Sequence, residues 1–489
     1  MERYNLVVIG AGSGGLVVAA GGTGLGARVA LAEKHPIEYT HEGKPVKAMG
    51  GDCLNFGCVP SKALIRAGKA AQHAREASRF AIRGIPDPGP QDIARVMDYV
   101  RSAQAHISPH DSIERFSGLG VDVMVGAGRL KSAHEVEIGD KTVWGRNIVI
   151  ATGSRAMIHP IPGLEEAGYL TNETVFQVKE LPASLLIMGG GPIGTEIGQS
   201  FSRLGSKVTI VSSTPHICPK EDADIVAVLV KKLRHEGVTV IDEAKATKVE
   251  KKDGRKVVTI KGKTGAESTI TVDEILVATG RRPNIEGLNL EGVGVKHSAK
   301  GIETDAKCRT NIPSIWAIGD VAGSYLFTHW AGYQAGVVLT NTLTPLALAS
   351  CDYDNIPWIT YTEPEIAHVG LSENAAKAKG IEYRKFSADF AHNDRAVCDG
   401  DFEDYFAKVL VDRKGLILGA TIVHPHAGDV LAELVLAKKW GLPLSKIAST
   451  IHAYPSLSEI TAALGREYRK TGLTPGRKNL LTKIAGWMR

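Results

Sequence analysis

The chain has 489 residues, enough for about three domains, and its 43% hydrophobic content with 54 glycines is typical of a globular α/β protein and not of a disordered one. Its net charge of +5 is small for this length and gives no indication of a nucleic-acid partner. The sequence contains no apolar run of about 20 residues and enters a hydrophobic strand at Asn5, so we expect a cytoplasmic protein without a signal peptide.

The first predicted element is an apolar strand that runs into a glycine-rich turn and then a helix of small residues. The turn has the spacing GxGxxG, at Gly10, Gly12 and Gly15. Such a turn lets the backbone approach a pyrophosphate, and the N–H groups at the helix N-terminus favour its negative charge. The next strand ends in Glu33, placed to accept a hydrogen bond from a ribose hydroxyl. This segment therefore predicts a site for an adenine dinucleotide without a 2′-phosphate.

The next feature is a pair of cysteines five positions apart, Cys53 and Cys58. Five residues of helix rise about 7.5 Å, beyond the ~7 Å Cα separation of a disulfide, so the pair can close only where the backbone is distorted. Gly57 and Pro60 are the residues expected to distort it. A disulfide around so small a loop would be a poor structural crosslink, which favours a redox role. The alternative, a zinc pair, would need further ligands nearby.

The other four cysteines are scattered through the sequence. Because each is isolated, we expect them to be structural thiols: Cys218, Cys308, Cys351 and Cys398.

The strand–turn–helix–strand pattern recurs from Ser184, with Gly189, Gly191 and Gly194 in the turn. The second strand of this unit ends at Ser212, where a carboxylate would exclude a 2′-phosphate. We therefore expect NADPH here, with NADH as the alternative. Three more strands end in turns that favour cofactor contacts, at Thr152, Gly280 and Asp320.

In this order, the segments resemble the pyridine-nucleotide-disulfide oxidoreductases, which include dihydrolipoamide dehydrogenase, glutathione reductase and mercuric reductase. The resemblance implies an α/β fold with two Rossmann-like dinucleotide-binding domains and a C-terminal α+β dimerisation domain. The implied boundaries are residues 1–155 and 281–349 for the FAD domain, 156–280 for the NAD(P) domain, 350–465 for the dimerisation domain and 466–489 for a basic helical tail. It also implies a homodimer whose C-terminal residues complete the partner's active site.

The resemblance further assigns roles to individual residues. Cys58 is expected beside the flavin as the charge-transfer thiolate, Cys53 as the interchange thiol, and Lys62 and Glu196 as a pair near flavin and nicotinamide. The implied FAD contacts are Gly10, Gly12, Ser13, Gly14, Gly15, Glu33, Gly51, Asp52, Lys62, Gly128, Thr152, Gly153, Ser154, Arg281, Asp320, Leu326, Phe327, Thr328 and His329. The implied NAD(P) contacts are Gly189, Gly191, Pro192, Ile193, Gly194, Glu196, Ser212, Ser213, Val249 and Gly280.

The chain departs from the family at its C-terminal acid–base motif. Disulfide reductases of the family have His-Pro-Thr-x-x-Glu, and counting back from Glu459 places Tyr454 at the position of the histidine. A phenol, with a pKa of about 10, is a far poorer base at neutral pH than an imidazole. Either His452 replaces the missing base, or the acceptor needs no proton delivery.

We therefore expect a mercuric-reductase-like enzyme with an unidentified acceptor, either a metal ion or an atypical thiol or disulfide. Pro192 and Asp52 also resemble that branch. A dihydrolipoamide-dehydrogenase-like disulfide reductase is the alternative. An electron-transfer flavoprotein component of a larger assembly is the alternative from another class.

Two segments fall outside the family pattern. The loop between Glu33 and Gly50 is about a dozen residues longer than usual, and its Glu42-Gly43 turn predicts a surface hairpin. We expect its His35 and His41 to be solvated and not metal ligands. The basic tail from Arg466 is expected to form a helix packed on the dimer, with a membrane-surface helix as the alternative.

Overall fold

The computed structural model describes residues 1–323, 325–344 and 348–488. Contacts divide the chain into two compact units, one made of residues 1–215 and 238–351, the other of residues 216–237 and the chain from residue 352. Residues 216–237, assigned to the NAD(P) domain by resemblance, are thus grouped with the C-terminal unit.

The strands, in chain order, are β1 (Arg3–Ile9), β2 (Val29–Glu33), β3 (Ile37–His41), β4 (Lys44–Ala48), β5 (Val121–Val125), β6 (Gly128–Leu130), β7 (Glu135–Ile138), β8 (Lys141–Ile150), β9 (Ser154–Ala156), β10 (Ser184–Met188), β11 (Lys207–Val211), β12 (Thr239–Ile241), β13 (Ala244–Lys252), β14 (Arg255–Gly262), β15 (Glu267–Val272), β16 (Glu274–Val277), β17 (Arg281–Pro283), β18 (His297–Ser298), β19 (Gly301–Ile302), β20 (Ile315–Ala317), β21 (Pro357–Thr360), β22 (Glu365–Gly370), β23 (Arg384–Asp389), β24 (Phe406–Val411) and β25 (Ile417–His424).

The α-helices are α1 (Ser13–Gly24), α2 (Gly51–Asn55), α3 (Cys58–Glu76), α4 (Ile93–Ile107), α5 (Ile113–Gly118), α6 (Leu164–Ala167), α7 (Pro192–Leu204), α8 (Ala223–His235), α9 (Leu290–Val293), α10 (Thr328–Leu343), α11 (Glu373–Ala378), α12 (Asp394–Asp399), α13 (Ala427–Lys439), α14 (Leu444–Ile447), α15 (Glu459–Lys470) and α16 (Pro475–Trp487).

A mainly parallel sheet forms the first dinucleotide fold. Its strands lie in the order β5-β2-β1-β8-β7-β6, and β20 also pairs with β8. In β1, Val8 lies opposite Leu31 on one side and Val149 on the other. These central side chains are fully buried, as expected for a parallel sheet covered on both faces. Helix α1 connects β1 to β2, so the glycine-rich turn lies at the carboxyl end of the strands.

The same arrangement recurs in the second dinucleotide fold. Strands β12, β11, β10 and β16 form a parallel sheet, and α7 connects β10 to β11 as α1 connects β1 to β2. An antiparallel sheet of β13, β14 and β15 lies beside it. The two parallel sheets confirm the predicted α/β class with two Rossmann-like folds.

The loop after Glu33 forms the predicted hairpin, from strands β3 and β4. Its two turn residues, Glu42 and Gly43, have φ angles of 50° and 76°, as a type I′ turn requires. The hydroxyl of Tyr39 donates to Asn55 Oδ1 at 2.6 Å, which ties the hairpin to the helix that carries Cys53. His41 packs edge-to-face on His106, at 5.6 Å between ring centroids.

The second unit is built on an antiparallel sheet of order β21-β22-β25-β24-β23. Helices α13 and α15 pack on it, and their Leu431 and Leu464 join Phe390 in its buried core. This matches the predicted α+β domain. Helix α16, by contrast, has no buried residue among those described. Among the described residues, no helix is both long and apolar enough to cross a membrane.

Candidate active site

The two cysteines lie on either side of a break between two helices. Cys53 is in α2, and Cys58 is the first residue of α3. Gly57 separates them with φ −125° and ψ −109°, and a Cβ there would lie 2.8 Å from Asp52 Oδ2. The break is therefore at Gly57, as predicted, whereas Pro60 lies in the first turn of α3, where a helix accepts proline. Cys58 is the first residue of α3, and a helix N-terminus favours a nearby negative charge.

The two thiols have different electrostatic environments. They are not covalently joined in this structure, and the Cys53 thiol hydrogen-bonds to Cys58. That bond, the Thr328 hydroxyl at 3.1 Å and the charge of Lys62 lower the pKa of Cys58 to about 6. The same bond and burial raise the pKa of Cys53. At neutral pH the pair is thus a Cys58 thiolate accepting from a Cys53 thiol.

The Lys62 charge that acts on Cys58 also belongs to an ion pair with a buried carboxylate. Lys62 Nζ is 2.9 Å from Glu196 Oε2, and the Glu196 side chain is almost fully buried. Lys62 lies on α3 and Glu196 on α7, and these helices pack closely because Gly68 has no side chain to hold Ser200 away. The structure therefore brings together the predicted pair from residues 134 positions apart.

The first glycine-rich turn fits the pyrophosphate of FAD. A Cβ on Gly15 would lie 1.9 Å from Gly10 O, so glycine there lets α1 pack against the end of β1. A Cβ on Gly51 would lie 2.7 Å from Gly12 Cα, so a side chain there would crowd the turn. Within the described chain, no side chain caps α1 at Gly12, which leaves its N-terminus to an anion. The Glu33 carboxylate lies at the same turn, where it accepts from Ala11 N at 3.0 Å.

Four of the other predicted FAD residues form a polar cluster. Arg281 Nε donates to Ser154 Oγ at 2.7 Å, and Arg281 also lies 3.2 Å from Asp52 and 3.6 Å from Asp320. Ser154 Oγ donates to Asp320. Burial raises the pKa of Asp320, and the hydrogen bond from Ser154 and the Arg281 charge oppose this rise. The cluster offers a carboxylate and a guanidinium to a polar cofactor.

The remaining predicted FAD residues lie on strand ends and turns of the same unit. Thr152 Oγ1 donates to Asn284 O at 2.7 Å. Gly128 packs against Ile9, since a Cβ would lie 2.7 Å from its side chain. The segment from Leu326 leads into α10 at Thr328, and His329 stacks on Phe327 at 5.2 Å.

The second glycine-rich turn repeats the geometry of the first. Gly189 has φ +119°, and a Cβ on Gly194 would lie 2.2 Å from Gly189 O. Pro192 begins α7 beside a half-exposed Ile193. Ser212 is buried, and its hydroxyl is 2.7 Å from Thr214 Oγ1.

Two other residues predicted to contact NAD(P), Val249 and Gly280, lie outside the second glycine-rich turn. Val249 is buried in the core of this region, and its backbone N–H donates to Pro162 O at 2.9 Å. Its side chain is therefore part of the core and is not presented to a nucleotide. Gly280, at φ +140°, accepts from Met157 N at 2.9 Å.

The C-terminal motif lies in the second unit. Tyr454 is 71% exposed, and its hydroxyl donates to Asp394 Oδ2 at 2.8 Å, which raises its pKa. Glu459 does not orient Tyr454. Its Oε2 accepts from Ser456 N at 3.4 Å. The phenol is therefore protonated at neutral pH and held by a carboxylate that the motif did not reveal.

His452 is held in a separate network of the same unit. Its Nε2 is 3.1 Å from both oxygens of Glu433 and 3.2 Å from Thr461 Oγ1, while Nδ1 is 3.0 Å from Thr450 O. Its side chain is only 8% exposed. Both ring nitrogens are thus engaged, and a swing to replace the missing base would break this network.

Sequence comparison identifies the family. The model described as pyridine nucleotide-disulphide oxidoreductase matches residues 4–335, and the model of the dimerisation domain of the same family matches residues 356–464. The chain belongs to the pyridine nucleotide-disulphide oxidoreductases, as its resemblance predicted. It is a flavoprotein disulfide oxidoreductase, and the dimerisation domain indicates a homodimer.

Individual relatives refine this assignment. Dihydrolipoyl dehydrogenase of Thermus scotoductus is 35% identical over 464 residues, which cover 94% of this chain and 96% of that protein. Dihydrolipoyl dehydrogenase of Geobacillus stearothermophilus is 35% identical over 463 residues, 93% and 94% of the two chains. These names match the alternative expectation, dihydrolipoamide dehydrogenase, better than the mercuric-reductase-like one.

Solved structures agree in fold. The Cu(II) complex of RclA, an HOCl-induced flavoprotein disulfide reductase of Escherichia coli, has a TM-score of 0.82 at 26% identity, covering 95% of this chain and 99% of RclA. LpdA of Mycobacterium tuberculosis has a TM-score of 0.83 at 24% identity, with the same coverage.

The placement of Cys58 generates a prediction about its titration. In the NAD(P)H-reduced holoprotein, long-wavelength absorbance from the Cys58 thiolate beside the flavin should be present at neutral pH and lost as the pH falls through about 6. Lys62→Met should shift this midpoint upward, because the thiolate loses a cation. Lys69→Met, two turns along α3, is the control and should leave the midpoint unchanged. An unchanged midpoint in Lys62→Met would contradict this account.

Proposed function

We propose that the chain uses NAD(P)H and FAD to exchange electrons between Cys53–Cys58 and a dithiol–disulfide acceptor. The observation that carries this proposal is the unequal pair of thiols, a stabilised Cys58 thiolate beside a protonated Cys53. FAD, when bound at the first glycine-rich turn, supplies two-electron chemistry between the nicotinamide and the thiols. The residues predicted to bind FAD are the Gly10–Gly15 turn, Glu33 and the polar cluster of Asp52, Ser154, Arg281 and Asp320.

The residues of the chain define the thiol half of the reaction. With the disulfide acceptor, Cys53 loses its proton and attacks one sulfur, the acceptor's S–S bond breaks, and a mixed disulfide forms. The Cys58 thiolate then attacks Cys53, which closes the Cys53–Cys58 disulfide and releases the second acceptor thiolate. In this sequence the enzyme pair loses two electrons and one proton, that of Cys53, because Cys58 is already a thiolate. The second proton of the reduced acceptor dithiol comes from solvent. Lys62 and Thr328 stabilise the Cys58 anion before the second attack.

Lipoamide is the first candidate acceptor, because the relatives at 35% identity are dihydrolipoyl dehydrogenases. A thiophilic metal ion is the second candidate, and a specific observation favours it. The motif that holds a histidine base in disulfide reductases here presents Tyr454, whose proton is directed at Asp394. A metal ion that binds thiolates requires no such base. The RclA structure is a Cu(II) complex, which supports testing copper alongside mercury.

Substitution of Tyr454 separates the two candidates. If the missing base limits disulfide exchange, the wild-type enzyme should turn over lipoamide slowly, and Tyr454→His should accelerate it by about 10-fold or more, since a general base contributes 10²–10⁴-fold. Steady-state rates with lipoamide, glutathione disulfide, Hg(II) and Cu(II) provide the measurement.

The matched control is Tyr454→Phe, which removes the hydroxyl without adding a base and should not accelerate lipoamide reduction. Fast wild-type turnover of lipoamide would establish lipoamide as the acceptor and exclude the argument from Tyr454. Cys53→Ser should abolish turnover of every acceptor that exchanges with the thiol. Free turnover of any of these acceptors would also argue against the electron-transfer-component alternative.

NADPH is the proposed electron donor, with NADH as the alternative. A serine in place of a carboxylate at position 212, with Thr214 Oγ1 2.7 Å from its hydroxyl, supports this preference. Ser212→Glu should raise KM for NADPH about 10-fold or more and leave KM for NADH nearly unchanged, because a carboxylate repels the 2′-phosphate. Ser212→Gln introduces a side chain of similar size to Glu without its charge, and it should change KM for NADPH and NADH by similar factors. Equal effects of Glu on both nucleotides would contradict the proposal.

The tail helix α16 is proposed to pack on the second chain of the homodimer. Its large apolar side chains are 46–93% exposed in the single chain: Leu480, Leu481, Ile484, Trp487 and Met488. Removal of residues 473–489 should weaken the dimer in sedimentation equilibrium. Lys478→Glu with Lys483→Glu, which retains the apolar face, should not. Co-sedimentation of the wild type with anionic vesicles, lost in the charge-reversed variant, would instead support the membrane alternative.

A further inference from the structure

Two cysteines that are far apart in sequence meet in the interior of the first unit. Cys308 and Cys351 are 43 positions apart, and their sulfur atoms lie 3.4 Å from each other. Both are buried, at 0% and 9% exposure. These two cysteines are thus isolated in the sequence but adjacent in the fold.

Backbone hydrogen bonds hold the two segments in place. Cys351 N donates to Ala306 O at 2.7 Å, and Cys308 N donates to Asp305 O at 3.0 Å. The Cys308 carbonyl accepts from Ala317 N at 3.0 Å, which anchors it to β20. Backbone hydrogen bonds thus link Cys308 to β20 and Cys351 to Ala306, next to the Cys308 segment.

We propose that Cys308 and Cys351 are a second redox pair, which closes to a disulfide when the protein is exposed to a hydroperoxide and reopens with a dithiol. The sulfurs need to approach by about 1.4 Å to reach the S–S bond length of about 2.05 Å. This pair does not take part in the proposed electron transfer through Cys53 and Cys58. The inference therefore does not depend on the identity of the acceptor.

The chemistry begins at Cys351, the residue with the larger exposed fraction, 9% against 0% for Cys308. The peroxide O–O bond breaks as an S–O bond forms, which yields a sulfenic acid at Cys351 and one water or alcohol. Cys308 then attacks the Cys351 sulfur, the S–S bond forms, the S–O bond breaks, and a second water leaves with the Cys308 proton. In total, two thiols lose two electrons and two protons to one hydroperoxide. The hydrogen bond to Cys351 and burial raise the pKa of Cys308, which is consistent with Cys308 as the resolving thiol.

The disulfide would close a loop that carries part of the predicted flavin site. Residues between the two cysteines include Asp320 and α10, whose Thr328 contacts Cys58. Gln334 of the same helix hydrogen-bonds to Cys308 and accepts from Gly319 N at 2.8 Å. Closing the loop restricts the unfolded chain, so the oxidised unit should be harder to unfold and should release flavin more slowly.

The test treats full-length holoprotein with hydrogen peroxide and maps its cysteines. In one sample, free thiols are alkylated and the protein is digested without reduction, so that disulfide-linked peptides stay intact. In a second sample, free thiols are alkylated, disulfides are reduced, and the newly released thiols are alkylated with an isotopically distinct reagent. Peptides from both samples are identified by mass spectrometry. We expect a non-reduced peptide that joins Cys308 to Cys351, distinct from any Cys53–Cys58 peptide, and its disappearance after dithiothreitol. A rise of a few degrees in Tm and slower flavin release should accompany oxidation and be absent in Cys308→Ser and Cys351→Ser.

Cys218→Ser is the control, because Cys218 is also buried but is not one of the pair. It should keep both the crosslink and the Tm shift. Recovery of Cys308 and Cys351 as free thiols after oxidation of the wild type would overturn the proposal, as would sulfinic acid at Cys351 without a crosslink. The cysteine map of the oxidised wild-type protein tests the proposal even if a serine variant fails to fold.

Discussion

The active site depends on the helix break at Gly57. If α2 and α3 were one continuous helix, Cys53 and Cys58 would be too far apart to form a disulfide. The break places Cys58 at the first position of α3, where the helix dipole favours a thiolate. It also turns Lys62, one turn further along α3, toward the buried carboxylate of Glu196. One irregularity in the backbone thus sets the spacing of the thiols and the charge on one of them.

The two glycine-rich turns share one steric constraint, the close approach of the helix to the strand it follows. In each, the last glycine of the motif lies so close to the carbonyl of the first that a methyl group would overlap it, at 1.9 Å in one turn and 2.2 Å in the other. The requirement comes from packing a helix onto the strand it follows, and it is met before any ligand binds. The fold therefore positions both helix N-termini, the first at the predicted FAD site and the second at the predicted NAD(P) site.

The parts of the molecule that depend on local patterns were predictable from sequence. The strand–turn–helix units, the hairpin at Glu42-Gly43 and the distortion at Gly57 are each encoded within a short segment. The resemblance to the family located the Lys62–Glu196 pair. Contacts between residues far apart in sequence were not predictable in this way. Asp394 lies 60 positions from Tyr454, and Glu433 lies 19 positions from His452, with no motif linking either pair. Cys308 and Cys351 are the clearest case, because only the tertiary fold brings them together.

The C-terminal motif illustrates why one substitution has more than one consequence. A histidine at position 454 would exchange protons near neutral pH, whereas the phenol beside Asp394 keeps its proton well above it. Since Glu459 bonds to the backbone at Ser456, the carboxylate that would orient a histidine is already engaged. His452 is held equally firmly, by Glu433 and Thr461. Tyr454, His452 and Glu459 are thus each held by hydrogen bonds within the second unit. In the proposed function, a Cys58 thiolate combined with Tyr454 in place of the family's histidine favours acceptors that bind sulfur directly.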